Sequence, residues 1–217
     1  MATQLLLSSK LELQSVLGAA KTITAISKAA EAVITGTHDF AIGDLIVIGG
    51  VVGMTEINGR VVRVKSVSTT VSFVAEGLDT SGTDFTAYVS GGTATKVTTL
   101  LNFSDLASGF NYPEPSPNPI DVTPISAKSK VEVFGLDDAP TLTIPMFADP
   151  TNTSVVEMRK ASLAKTARVL RFTAQNGNVM ICNSYITGGR GFDGSVGAVA
   201  TATLNAKLLA PEQWFAS

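Results

Sequence analysis

Cys182 and His38 are the chain's only thiol and only imidazole. A cysteine nucleophile needs a base within hydrogen-bond reach, so these two would have to meet across regions of different sequence texture. One His and one Cys also fall short of a zinc site unless several carboxylates complete it. Cys182 stands in the apolar run Val-Met-Ile-Cys and reads as a small buried hydrophobe. Being alone, it excludes an intrachain disulfide. His38 reads as a turn residue that holds backbone groups. Asp137-Asp138 has the chemistry of a general acid/base pair or of calcium ligands, but reads first as a solvated turn. Asp79-Thr80-Ser81-Gly82-Thr83-Asp84 spaces oxygens in a way open to calcium, yet lacks the long loop and final Glu of an EF-hand. Gly188-Gly189-Arg190-Gly191 and Gly49-Gly50 are glycine-rich, but neither joins a strand to a helix as a phosphate cradle does. These residues give no catalytic constellation, cofactor site or metal site, and the expectation is a protein that is not an enzyme.

Composition points the same way. Hydrophobic residues make up 45% of the 217 and charged residues only 16%. Low charge with a positive mean hydropathy implies a surface largely covered by other protein. A net charge of −2 offers no electrostatic footprint for holding nucleic acid. No apolar run is long enough for a membrane-spanning helix. Leu5-Leu6-Leu7 is too short for the core of a signal peptide and is followed by Lys10 and Glu12. The expectation is synthesis in a cytoplasm, with no membrane partner.

The elements that position these residues are mostly strands, in keeping with 19 Gly and 9 Pro. Residues 3–16 read as a first strand, broken by Gly18-Ala19-Ala20. From Lys21 to about Val97 short β-branched runs alternate with tight turns, and Asn58-Gly59 is the strongest hairpin signal. VTTLLNFSDL then reads as a strand. Phe110 to Pro119 carries four prolines and reads as a semi-rigid loop. The run TPISAKSKVEVF alternates: Ile125, Ala127, Val131 and Val133 on one face, Ser126, Lys128, Lys130 and Glu132 on the other. A Gly/Asp-rich turn over 134–140 leads to the next strand. TNTSVVEMRKASLAKT reads as the one good helix, with Ser154 and Glu157 as a capping box. ARVLRFTAQ and VMICNSYITG flank an Asn176-Gly177-Asn178 turn. SVGAVATATLNAKLL reads as a last alternating strand, with Val196 through Leu208 on one face and Thr201, Thr203, Asn205 and Lys207 on the other. Trp214 and Phe215 dock either on the subunit's own core or on a neighbour.

Two resemblances follow from particular residues. The segment Ile120–Pro150, with its "IDVT … GLDD … TLT … DP" order followed by a helix and further strands, resembles the central stretch of tail tube proteins of long-tailed bacteriophages. Residues 21–97 resemble a small β-barrel module found on phage tail proteins and related to a β domain of ubiquitin-activating enzymes. The marks are His38, Gly43-Asp44, Gly53-Met54, Asn58-Gly59, Tyr88 and Ser90-Gly91-Gly92-Thr93. Asp39 stands where that module has Gly.

The resemblances imply a mainly β fold: a tail-tube β-sandwich with one flanking helix (1–19 and 98–217) and an inserted small β-barrel (20–97) on the outside. They imply hexameric rings stacked into a hollow tube that conducts DNA from virion to host. The partners implied are further copies of the chain, and tape measure, tail terminator and baseplate proteins. DNA would be met only in transit and non-specifically, and no cofactor is implied. The location implied is the virion tail. Phe134, Gly135, Leu136, Asp137 and Asp138 are the expected ring–ring contact. Ser126, Lys128, Lys130 and Glu132 are candidates for the lumen or the polar face of a tube strand. Three other readings stay open: a carbohydrate- or receptor-binding module of a virion, a tube subunit of a contractile injection or secretion machine, and, least favoured by a lone Cys and His, an enzyme.

Overall fold

The computed structural model describes residues 8–68, 70–115 and 117–216. Residues 3–7 of the expected first strand, Leu5-Leu6-Leu7 among them, lie outside the described residues. In chain order the elements are β1 (Lys10–Thr22), β2 (Ala25–Ile26), β3 (Val33–Thr35), β4 (Leu45–Val52), β5 (Val61–Ser68), β6 (Ser72–Ala75), β7 (Ser90–Asn102), β8 (Pro117–Asp121), β9 (Glu132–Asp137), β10 (Thr141–Phe147), α1 (Thr153–Ala164), β11 (Ala167–Thr173), β12 (Val179–Gly188), β13 (Thr201–Leu208) and β14 (Gln213–Phe215). The protein is mainly β, with one α-helix among the described residues. A large antiparallel sheet takes all the strands except β8 and β9, which form a small sheet of their own.

β1 and β7 set the architecture. Gly18-Ala19-Ala20 does not end β1 as expected. The strand runs on to Thr22, and its pairing with β7 slips register three times between Gln14 and Ala20. Small residues suit such bulges, where a strand bends and twists without losing its neighbour. The first residues of β1 pair with β11 and its last three with Thr93–Thr95 of β7. β7 in turn joins the Ser90–Thr93 glycine turn and the strand from Val97 into one element. The expected boundaries at 19/20 and 97/98 therefore fall inside unbroken strands.

Around the smaller core the ladder closes. The end of β1 pairs with β7, which pairs with β4, then β5, β6, β3 and β2 in turn. Ile23 N–H donates to the Gly92 carbonyl at 3.0 Å and Thr24 N–H to the Thr35 carbonyl at 2.8 Å. Consecutive residues thus hand the chain from one end of the ladder to the other, and closure removes the edges. Ile34, Ile46, Ile48, Met54, Ile57 and Phe73 fill this barrel.

The larger core lies under the sheet order β10-β13-β12-β11-β1. The layers of the expected sandwich are continuous here. After β7 the chain crosses to the far edge, where Ser108 and Asn111 N–H groups donate to Pro145 and Thr143 carbonyls, each at 2.9 Å. Leu13, Phe103, Leu142, Ile144, Leu170 and Leu204 pack inside, joined by Met158 and Ala161 of α1. Phe110, at the start of the proline-rich segment, stacks on Phe172 with ring centroids 4.4 Å apart.

Two local expectations are corrected. Asn152, not Ser154, caps α1: its side chain accepts from Ser154 N–H at 2.9 Å. Ser154 donates instead to the Asn102 carbonyl (3.0 Å) and Glu157 pairs with Arg168 (3.0 Å), so neither is free for a capping box. The last alternating strand begins at Thr201, not Ser195. Gly194, Gly197 and a turn closed from Ala198 N–H to the Ser195 carbonyl (3.0 Å) keep the preceding residues out of the ladder, and Val196 is fully exposed. From Leu204 to Leu208 the apolar face is buried as the alternation requires.

Candidate functional site: an exposed hairpin arm

The arm is β8 and β9 paired antiparallel, with Ile120 opposite Val133 and Asp121 opposite Glu132. Prolines 117 and 119 lack N–H groups, which suits β8 to a ladder with one open side. At its tip Asp121 and Thr123 stop the ladder. Thr123 N–H and hydroxyl both donate to Asp121 Oδ1, at 2.9 and 2.6 Å, and the same hydroxyl accepts from Val131 N–H at 2.8 Å. Such side-chain bonds to local backbone compete with strand pairing. The Thr123 hydroxyl, and then its N–H, hold the Asp121 carboxyl below the ordinary carboxylate range.

This geometry corrects the reading of residues 124–140. The run TPISAKSKVEVF is not one long strand: residues 122–131 form the bent tip. Ser126, Lys128 and Lys130 sit on that tip, and Glu132 opens β9, where its carboxylate pairs with Lys130. Phe134, Gly135, Leu136 and Asp137 are strand residues of β9, not a turn, and Asp138 follows in the link to β10. The assignment failed because the alternation of 125–133 is a strand pattern that the Asp121–Thr123 lock interrupts.

The arm is apolar on both faces. Ile120 and Val133 are opposite one another on one face, each 53% exposed. Phe134, 78% exposed, and Leu136, 90% exposed, project from the other. Gly135 lies under Ile120: a Cβ there would stand 2.8 Å from the Asn118 carbonyl oxygen. A two-stranded hairpin is marginal in water without a packed face. This one has neither face covered and both outer edges unpaired among the described residues. Sequence reading named Phe134 and Leu136 for a contact and Val131 and Val133 for an apolar face, but missed Ile120 and Val122. Their signal was the alternation Ile120-Asp121-Val122-Thr123.

The remaining candidates do not come together. Cys182 is buried in the larger core, and burial pushes its thiol up to about 12. His38 is buried in the barrel, stacked on Phe40 at 5.0 Å, with Nδ1 accepting from Phe40 N–H. Asp79 Oδ1 accepts from Ser81 N–H and hydroxyl, as a turn aspartate does, and no group of acids fit to hold a metal occurs among the described residues. Gly188 ends β12, Gly189 backs onto Met158, and Gly191 stands in open space. Phe215 is buried while Trp214 is about half exposed.

Residues 31–98 match the family described as the ubiquitin-activating enzyme E1 FCCH domain. The match spans β3 to most of β7, leaving out the end of β1 and β2 that complete the barrel. It covers less than a third of the chain and is a likeness of that part alone. Among curated proteins none matches the chain.

Proposed function

We propose that this chain is a structural subunit of a bacteriophage tail tube, six copies forming a ring and rings stacking into a hollow conduit for DNA in the virion tail. The observation that carries the reading is the β8–β9 arm, an apolar hairpin with no covering partner among the described residues. Burying Phe134 and Leu136 alone against a neighbouring copy would contribute about 3–6 kcal/mol per subunit. A second feature supports it. The outward face of β10, β13 and β12 carries Thr141, Thr143, Thr203, Asn205 and Thr187, tied by Thr143 to Asn205 and Thr187 to Asn205 hydrogen bonds, with Tyr185 and Phe147 at its margins and Lys207 as the cation among them. A wet face with little charge would let DNA slide past without holding its phosphates. The family match concerns the barrel and says nothing of assembly.

Electron microscopy of the concentrated protein tests the reading. Rings or tubes about one subunit thick in the wall are expected. A strict monomer by sedimentation at the same concentration would overturn it.

A further inference from the structure

We propose that the cleft between the small barrel and β14 binds a neutral sugar ring of a surface glycan. This goes beyond the assembly reading and does not depend on it. The cleft has a volume of about 320 Å³, the lower end of the range for small-ligand sites. It is built by both cores: Arg60, Glu76, Asp79 and Phe85 from the barrel side, and Glu212 and Trp214 from the C-terminal segment. Trp214 is the chain's only tryptophan and is 49% exposed. Large amphipathic rings left at a wet edge serve recognition, offering a flat apolar face and a polar N–H.

The polar groups decide the class of ligand. Arg60 is half-buried. Its Nε–H donates to the Glu56 carbonyl at 3.0 Å and its guanidinium carbon lies 5.3 Å from the Phe85 ring centre. It forms no ion pair among the described residues, so its outer N–H groups are donors without a carboxylate. Gln213 Oε1 is buried with no hydrogen-bond partner among the described residues. The carboxylates are already engaged on one side: Glu76 by the Arg63 fork at 2.5 and 2.6 Å, Asp79 by Ser81, and Glu212 by the Tyr112 hydroxyl at 2.5 Å. Three lining carboxylates disfavour an anion. Arg60 in the lining, with Arg63 behind it already neutralising Glu76, disfavours a cation. A neutral ring of hydroxyl groups can use donors and acceptors alike, and its C–H face suits Trp214 and Phe85.

The test uses the full chain. An array of neutral, acidic and cationic glycans is followed by calorimetric titration with lactose, maltotriose and the N-acetylglucosamine trimer as neutral probes, sialyllactose as an acidic one and choline as a cationic one. Trp214 fluorescence reports directly, since no other tryptophan contributes. At least one neutral glycan should bind saturably, with a Kd of ~1 mM or tighter, and shift the Trp214 emission. Trp214→Ala should abolish binding and Arg60→Gln should weaken it at least about tenfold, with circular dichroism unchanged. Should Trp214→Ala fail to fold, Arg60→Gln and Trp214→Phe, read by calorimetry, carry the same comparison. The proposal is overturned if no neutral glycan binds, if sialyllactose or choline binds better, or if binding survives both Arg60→Gln and loss of the indole. It is also overturned if Trp214→Ala blocks tube assembly while no glycan is bound, since the cleft is then a subunit contact.

Discussion

The Asn58 carboxamide accepts from Val51 N–H at 2.8 Å and donates to the Val51 carbonyl at 2.9 Å, doing for one residue what a neighbouring strand would do. The Asn-Gly signal was legible in the sequence, but its use was not. Only Gly59 takes positive φ, and Asn58 stays extended while its side chain latches β4. Asn58→Ala would strand two backbone groups of the buried Val51. The expected loss is about 1–3 kcal/mol, measured by urea unfolding, with the isosteric Asn58→Asp also impaired because it cannot donate. Arg63 and Glu76 give a second residue-scale prediction. The guanidinium holds the Glu76 carboxyl below its ordinary value of 4.5. A depressed carboxylate contributes stability that is present above the unfolded value and is lost as pH falls through the folded one. Glu76→Gln should therefore lower stability at neutral pH by about 1 kcal/mol. The gap between variant and parent should shrink below pH 4.5 and close in stronger acid, as followed by thermal melts across pH.

At the scale of elements, the β8–β9 arm is where a local pattern misleads. Period-two alternation correctly marked β13 from Leu204, where each apolar residue meets the larger core. The same alternation over 125–133 met no core and gave way to the Asp121–Thr123 lock. The Asn176-Gly177-Asn178 turn was readable because it is self-contained: Gly177 N–H donates to Ala174 at 2.9 Å, and Gly177 carries the positive φ that the turn needs. The helix was readable too, although its cap was not, because Ser154 is claimed by Asn102, far away in sequence, and Glu157 by Arg168 of the next strand. For the arm the prediction is a separation of folding from assembly. Phe134→Ser with Leu136→Ser removes two exposed side chains and no core contact. The unfolding temperature should move by no more than a few degrees, while sedimentation and microscopy show loss of rings and tubes. Persistence of long tubes in this variant would take the arm out of the assembly contact.

At the scale of the whole molecule, the two cores are joined by a third. Leu45 and Val61 of the barrel pack with Val169, Ile181 and Phe215 of the larger sheet, and Arg63 lies 4.3 Å over the Phe215 ring. Asn183 Nδ2 adds a hydrogen bond to the Gly59 carbonyl at 3.0 Å. Nothing in the sequence announces these contacts, because their members are scattered over the chain. They predict the behaviour of a chain in which residues 20–97 are replaced by an Asn-Gly turn. It should bind a hydrophobic dye and associate non-specifically, and adding Ile181→Thr and Phe215→Thr should reduce both effects. A clean, dye-silent monomer after excision would mean that the barrel detaches without cost. In an assembled tube a further expectation is a neutral or negative inner surface with its Lys and Arg paired, readable from a tube reconstruction. The two strands that thread both cores bear on mechanics. A twist applied to the barrel cannot be absorbed by a swivelling linker, because β1 and β7 are the linker. Torque must pass along their shared ladder as shear, a direction in which many hydrogen bonds yield together and not one by one. The barrel is then a stiff handle on the larger sheet, and force caught at its surface would arrive at β11.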